Sequence, residues 1–256
     1  VSRPPSAALL AIEGRMVLEL AALGISLPLL QRAPRGDGHG VLVMPGFMAS
    51  DVSTLPLRGF LRGRGLDAQP WRLGRNLGPV PGMLPRLQRR LREERERTGR
   101  RVSLIGWSLG GLYARELARA WPDDVRQVIT LGTPFAGNPR ANHAWRLFEL
   151  LSGLRLDEMD PGAFWARSQP LSVPTTAIYS RSDGITAWEC CVEQEGPQRE
   201  SIEVGGSHLG LGHNPLALHA IADRLAQAEG NWQPFQPAGM LRFLYPQPRR
   251  VSRVYA

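Results

Sequence analysis

Apolar residues in this chain follow two rhythms. Short runs rich in β-branched or aromatic side chains, such as Val41-Leu42-Val43-Met44 and Val128-Ile129-Thr130-Leu131, alternate with longer stretches whose apolar positions recur three or four residues apart. The first rhythm fits strands buried on both faces and the second fits helices with one packed face, so their alternation predicts a parallel sheet covered by helices. Strands are expected at 41–45, 67–72, 102–106, 127–131, 174–180 and 200–204, and helices at 55–63, 82–98, 109–121 and 215–226. Asn214 followed by Pro215 marks the start of the last helix, pairing a capping side chain with a ring that fixes φ at the first helical position.

Two stretches depart from this alternation. Between 135 and 170 the residues Trp145, Phe148, Leu150, Leu151, Leu154, Met159, Phe164 and Trp165 lie in a segment without strand character, which reads as one or two helices. These helices either complete the core or cap a substrate pocket. From Ala7 to Leu30 the chain is apolar but interrupted by Glu13, Arg15 and Glu19. There the spacing of Leu9, Ile12, Met16, Leu20 and Leu23 predicts an amphipathic helix packed on the surface, and the charges argue against a membrane span.

The chain has 256 residues, 43% of them hydrophobic, which suits one domain over 1–256 with 135–170 as a helical insertion. The net charge is +8, yet all 31 basic residues are Arg and Lys is absent, a one-sidedness that reads as a compositional bias of the source. No nucleic-acid partner is expected. In the helix at 82–98, Leu84, Leu87 and Leu91 form the expected buried stripe, while Arg89/Glu93, Arg90/Glu94, Arg92/Glu96 and Glu93/Arg97 stand at i,i+4 spacing on a solvated face. Arg249, Arg250 and Arg253 make the C-terminal tail basic, and it reads as a loose terminus or an anionic-surface contact, so membrane contact is allowed and not required. The only cysteines, Cys190 and Cys191, are adjacent, so no disulfide framework is expected. A cytoplasmic location is the expectation, although a chain starting at Val1 leaves room for an upstream export segment.

Candidate chemistry centres on Gly106-Trp107-Ser108-Leu109-Gly110, placed where an expected strand gives way to an expected helix. A G-x-S-x-G at such a junction holds its serine on a strained bend with the hydroxyl projecting beyond the strand. A serine hydroxyl needs a base, and the base needs an orienting group. Asp183, in Arg181-Ser182-Asp183-Gly184, follows the fifth strand, and His208, in Gly205-Gly206-Ser207-His208, follows the sixth. Parallel strands share one carboxyl edge, so the three residues are able to converge there. Asp160 and Glu193 are reserve acids, His213 is a reserve base, and the competing reading of Asp183 is an Asx-turn with Gly184. No metal-ligand spacing and no phosphate loop occur, and no cofactor is expected.

With Gly106-Trp107-Ser108-Leu109-Gly110-Gly111, Ser182-Asp183-Gly184, Gly206-Ser207-His208 and Met44-Pro45-Gly46-Phe47, the chain resembles the α/β-hydrolase superfamily, especially small bacterial lipase- and esterase-like members, across about residues 39 to 228. The resemblance implies an α/β-hydrolase fold with Ser108, His208 and Asp183 as nucleophile, base and acid. It also implies an oxyanion hole formed by the N–H groups of Phe47 and Leu109. Where the family usually has His-Gly, this chain has Pro45-Gly46, which leaves the Phe47 N–H available. The expected activity is hydrolysis of a small carboxylic ester or lipid, with Trp107, Trp145, Phe148 and Leu151 walling the pocket. Acyl transfer, thioester hydrolysis and a non-catalytic role on the same scaffold are the alternatives.

Overall fold

A computed structural model describes residues 2–153, 155 and 161–246. Its strands are β1 (Gly40–Met44), β2 (Asp67–Pro70), β3 (Val102–Trp107), β4 (Val125–Leu131), β5 (Thr175–Tyr179) and β6 (Arg199–Glu203). Its helices are α1 (Ala7–Ala11), α2 (Met16–Leu30), α3 (Leu55–Gly63), α4 (Met83–Thr98), α5 (Leu109–Ala120), α6 (Trp145–Ser152), α7 (Pro161–Ser168) and α8 (Pro215–Ala226). The strands form one sheet in the order β2-β1-β3-β4-β5-β6, with every pairing parallel. All six expected strands and the four expected helices outside the two irregular stretches are present, with ends shifted by a residue or two.

The central strands are buried on both faces because the sheet is sandwiched. Alternation along each strand sorts its side chains between two cores. Val41, Val43, Ile105, Trp107, Ile129 and Leu131 pack with Leu57 and Leu61 of α3 and with Leu218 and Ile221 of α8. Leu42, Met44, Leu104 and Val128 pack on the other face with Leu87 and Leu91 of α4 and Leu117 of α5. Chain order reverses at β1: β2 lies on one side of it and β3 on the other. The connections leaving β1 and β3 therefore part in opposite directions and open a crevice at their carboxyl ends.

Two expectations about packing need correction. In α4, Leu87 and Leu91 are buried but Leu84 is 38% exposed, since it borders a cavity and does not face the sheet. At the N-terminus the single amphipathic helix is replaced by α1, a 3₁₀ turn at Glu13–Arg15 and α2. Ile12 and Leu20 of the expected packed stripe are exposed, whereas Glu13 is buried and Leu23 and Leu30 are what α2 lends to the core. The acids turn inward because buried backbone donors await them there. The outward face carries Val17, Leu18 and Ile25. Among the described residues no helix is long and apolar enough to cross a membrane. The arginines of the C-terminal tail, Arg249, Arg250 and Arg253, lie outside the described residues.

Leu87→Ala should destabilise the fold by about 2–5 kcal/mol by opening a cavity in the α4 core. Leu84→Ala, at the rim of an existing cavity, should cost under about 1 kcal/mol. Urea unfolding of the two variants checks this, and equal losses would contradict the assignment of the two faces.

Candidate active site

Ser108 links β3 to α5 at φ 51° and ψ −120°, a left-sided conformation that a residue with a Cβ adopts only under constraint. The constraint comes from both sides. The Ser108 N–H donates to the Leu131 carbonyl of β4 at 2.8 Å, extending the ladder past the end of β3. Its carbonyl accepts from the Gly111 N–H at 2.9 Å and from Thr133 Oγ1 at 3.0 Å. The turn also needs bare backbone around it. A Cβ on Gly106 would run into the Gly110 carbonyl, one on Gly110 would lie 2.6 Å from the Pro45 carbonyl oxygen, and one on Gly111 would overlap Thr133. Each glycine of the motif is therefore a packing requirement of this bend.

Asp183 and His208 meet behind the bend. His208 Nδ1 lies 2.6 Å from Asp183 Oδ2, and both side chains are almost fully buried. The same carboxylate accepts the N–H groups of Ile185 at 2.8 Å and Thr186 at 2.7 Å on Oδ1. Asp183 thus makes the local turn its sequence suggested and also engages the histidine, one oxygen for each task. With Nδ1–H donated to Asp183, the network leaves Nε2 as the basic nitrogen. Gly132, at φ 53°, gives the ring its space: a Cβ there would stand 3.0 Å from His208 Nδ1 and 3.2 Å from Asp183 Oδ2. Because Gly132 follows the Leu131 that holds Ser108, the acid–base pair lies beside the serine turn. Among the described residues no hydrogen bond joins Ser108 Oγ to His208 Nε2. Burial disfavours the imidazolium, but the charge and hydrogen bond of Asp183, together with the charge of Glu13, outweigh it and raise the His208 pKa above its ordinary 6.5.

The loop after β1 leans on the serine, with a Cβ placed on Gly46 coming 3.4 Å from Ser108 Cβ. Asn76, fully buried, pins this loop: its Nδ2 donates to the Pro45 carbonyl at 2.9 Å, and its own carbonyl accepts the Met48 N–H at 2.7 Å. Phe47 sits between those two anchors. Neither its N–H nor that of Leu109, at the first position of α5, donates to a protein acceptor among the described residues. Asn76 escaped the sequence reading because a lone Asn among loop glycines carries no motif.

Ser108, Phe47 and Leu109 open onto a cavity of about 430 Å³ with mostly apolar walls that include Met83, Leu84, Leu112, Trp145, Phe148 and Ile185. Trp145 and Phe148 of α6 are thus pocket residues, Phe148 meeting Phe47 edge-on with ring centroids 5.7 Å apart. Trp107 is not. Two residues after Ile105, it faces the same core, on the other side of the sheet from Met83 and Leu87 of the cavity wall, and its Nε1 donates to the His208 carbonyl at 3.1 Å. Leu151 is exposed on the outer side of α6 and does not line the cavity. The reserve base His213 is buried with Nε2 3.0 Å from the Met16 carbonyl of α2. Glu193 is committed to a buried ion pair with Arg115. Asp160, Leu154 and Met159 lie outside the described residues, as do the side chains of Phe164 and Trp165. No cluster of His, Cys, Asp and Glu suited to a metal occurs among the described residues.

Residues 83–159 match the PGAP1-like alpha/beta domain family. No curated protein sequence matches the chain. Among solved structures, Bacillus licheniformis lipase BlEst2 in mature form aligns at TM-score 0.56 and 18% identity over 77% of this chain and 95% of that one. Aspergillus fumigatus lipase B aligns at TM-score 0.55 and 20% identity over 75% of this chain, which spans only 53% of that protein. Paleococcus ferrophilus monoacylglycerol lipase aligns at TM-score 0.51 and 16% identity over 74% of this chain and 96% of that one. Together they establish the α/β-hydrolase fold.

His208 should titrate above 6.5, and Asp183→Asn should lower its pKa, because removing the anion leaves burial to oppose the imidazolium. An NMR titration of the ring protons reads both values. An unchanged pKa in the variant would contradict the coupling.

Proposed function

We propose that this chain, which has the α/β-hydrolase fold, hydrolyses carboxylic esters through an acyl-enzyme on Ser108. Ser108 Oγ attacks the ester carbonyl carbon as His208 Nε2 takes its proton. The oxygen of the tetrahedral intermediate takes its negative charge toward the N–H groups of Phe47 and Leu109, each such donor contributing about 3–4 kcal/mol to the transition state. Collapse expels the alcohol, which leaves with the proton from His208. Water then gives a proton to His208 and attacks the acyl carbonyl, and the acid departs as the proton returns to Ser108. Asp183 holds the ring in the tautomer with Nε2 free and stabilises the imidazolium in both halves of the cycle.

The observation that carries this reading is the strained serine at the mouth of an apolar cavity, with a buried aspartate–histidine pair beside it. The Ser108–His208 leg is not closed by a hydrogen bond, and catalytic hydrogen bonds of this kind commonly tighten only with substrate bound. Lipases among the structurally similar proteins are in keeping with ester chemistry. The cavity favours an apolar acyl or aryl group of short to medium length, with α6 as the wall that sets its reach.

Ser108→Ala should lower hydrolysis of p-nitrophenyl esters by about 10⁴-fold or more and abolish the acylation burst. Equal rates in variant and wild type would refute the nucleophile. Phe148→Ala, which deepens the cavity, should move the preferred acyl chain toward greater length in a p-nitrophenyl ester series. An unaltered profile would remove α6 from the acyl site.

A further inference from the structure

We infer that Glu13 is a positioning residue of this active site, its carboxylate clamping the turn that carries Asp183 to the loop that carries His208. The inference rests on the ester-hydrolase reading above. Glu13 is 4% exposed. Its Oε1 accepts the N–H of Gly184 at 2.7 Å and the N–H of His208 itself at 3.0 Å, and its Oε2 accepts the N–H of Leu209 at 3.0 Å. One oxygen thus bridges the residue after the acid and the base. Only an ionised carboxylate offers this many acceptor sites and no donor of its own, so no other side chain satisfies all three N–H groups.

The surrounding contacts serve the same end. Glu19 accepts the Ser207 N–H at 2.7 Å and the Ser207 hydroxyl at 2.6 Å, and the Arg15 guanidinium donates to the Ser182 carbonyl. Residues 182, 184, 207, 208 and 209, which bracket the acid and the base, are therefore all held by side chains of 13–19. This explains the inverted N-terminal segment, whose acids face the protein while Val17, Leu18 and Ile25 face outward. No cation pairs with Glu13 among the described residues, so its charge acts on the imidazole, adding to that of Asp183 in favouring the protonated ring.

The test is the rate at which a fluorophosphonate labels Ser108, as a function of pH, in wild type, Glu13→Gln and Glu13→Asp, with folding checked by circular dichroism. Glu13→Gln keeps the shape but sets an amide donor against a backbone donor. It should label about 10- to 100-fold more slowly, by analogy with the loss on removing the hydrogen-bond partner of a metal-ligating side chain. Its acid limb should also move to lower pH, because one anion near His208 is gone. Glu13→Asp keeps the charge but withdraws the oxygens, and should label slowly with the limb unmoved. A merely structural role would lower stability without shifting the limb. Wild-type rate and limb in folded Glu13→Gln would overturn the clamp, and if that variant does not fold, a wild-type rate in Glu13→Asp would do so. Absence of labelling in wild type would instead refute the nucleophile, and the His208 pKa by NMR in wild type and the folded variant would then decide on Glu13, an unchanged value overturning its role.

Discussion

A serine held at φ 51° is the constraint on which the rest of this molecule depends. A non-glycine residue there costs about 1–3 kcal/mol and persists only where its surroundings leave no alternative. Here a hydrogen bond to β4, a buried threonine hydroxyl and three glycines without room for a Cβ supply that insistence. The reward is positional. The bend lifts the side chain off the end of β3 while the N–H of Leu109 opens the first turn of α5, so the proposed nucleophile and the proposed oxyanion donor arise from one piece of backbone. Reversal of strand order at β1 then sets the Phe47 loop across the crevice from it.

The proposed acid and base are held by a different principle. Asp183 and His208 lie on irregular segments after β5 and β6, where no ladder fixes the backbone. Side-chain carboxylates do that work instead. Asp183 Oδ1 ties its own turn through Ile185 and Thr186, and Glu13 and Glu19 tie the two segments from the N-terminal side. Ser180 and Ser182 hydroxyls both donate to the Gly206 carbonyl, at 2.6 and 2.9 Å, joining the segments directly. Donors buried without partners would be costly, and each carboxylate here satisfies two or three of them at once.

What was legible in the sequence follows from the range of the forces involved. Short continuous apolar runs such as 41–44 and 127–131 give the sheet because a strand buried on both faces leaves a local mark, and the glycines of 106–111 mark the bend because sterics are local. Asp183 and His208 could be matched to strand ends because a parallel sheet has one carboxyl edge. Trp107 is not a pocket residue, and its spacing of two from Ile105 assigns it to the same core as that side chain. Leu84 was misread because a helical stripe does not tell sheet from cavity. Glu13 and Asn76 had no local signal at all: each acts on backbone atoms far away in sequence, Glu13 on donors 171 to 196 residues away. Only the folded arrangement shows what they hold.

In the proposed reaction Ser108, His208 and the N–H groups of Phe47 and Leu109 act on one carbonyl group. A crystal structure of the enzyme covalently bound to a p-nitrophenyl alkylphosphonate tests it most directly. Phosphorus should be bonded to Ser108 Oγ, with one phosphonyl oxygen within hydrogen-bond distance of both N–H groups, the alkyl chain in the cavity against Phe148, and His208 Nε2 at hydrogen-bond distance from Ser108 Oγ or a phosphonyl oxygen. An adduct on another residue, or a phosphonyl oxygen turned away from both N–H groups with the imidazole out of reach, would contradict it.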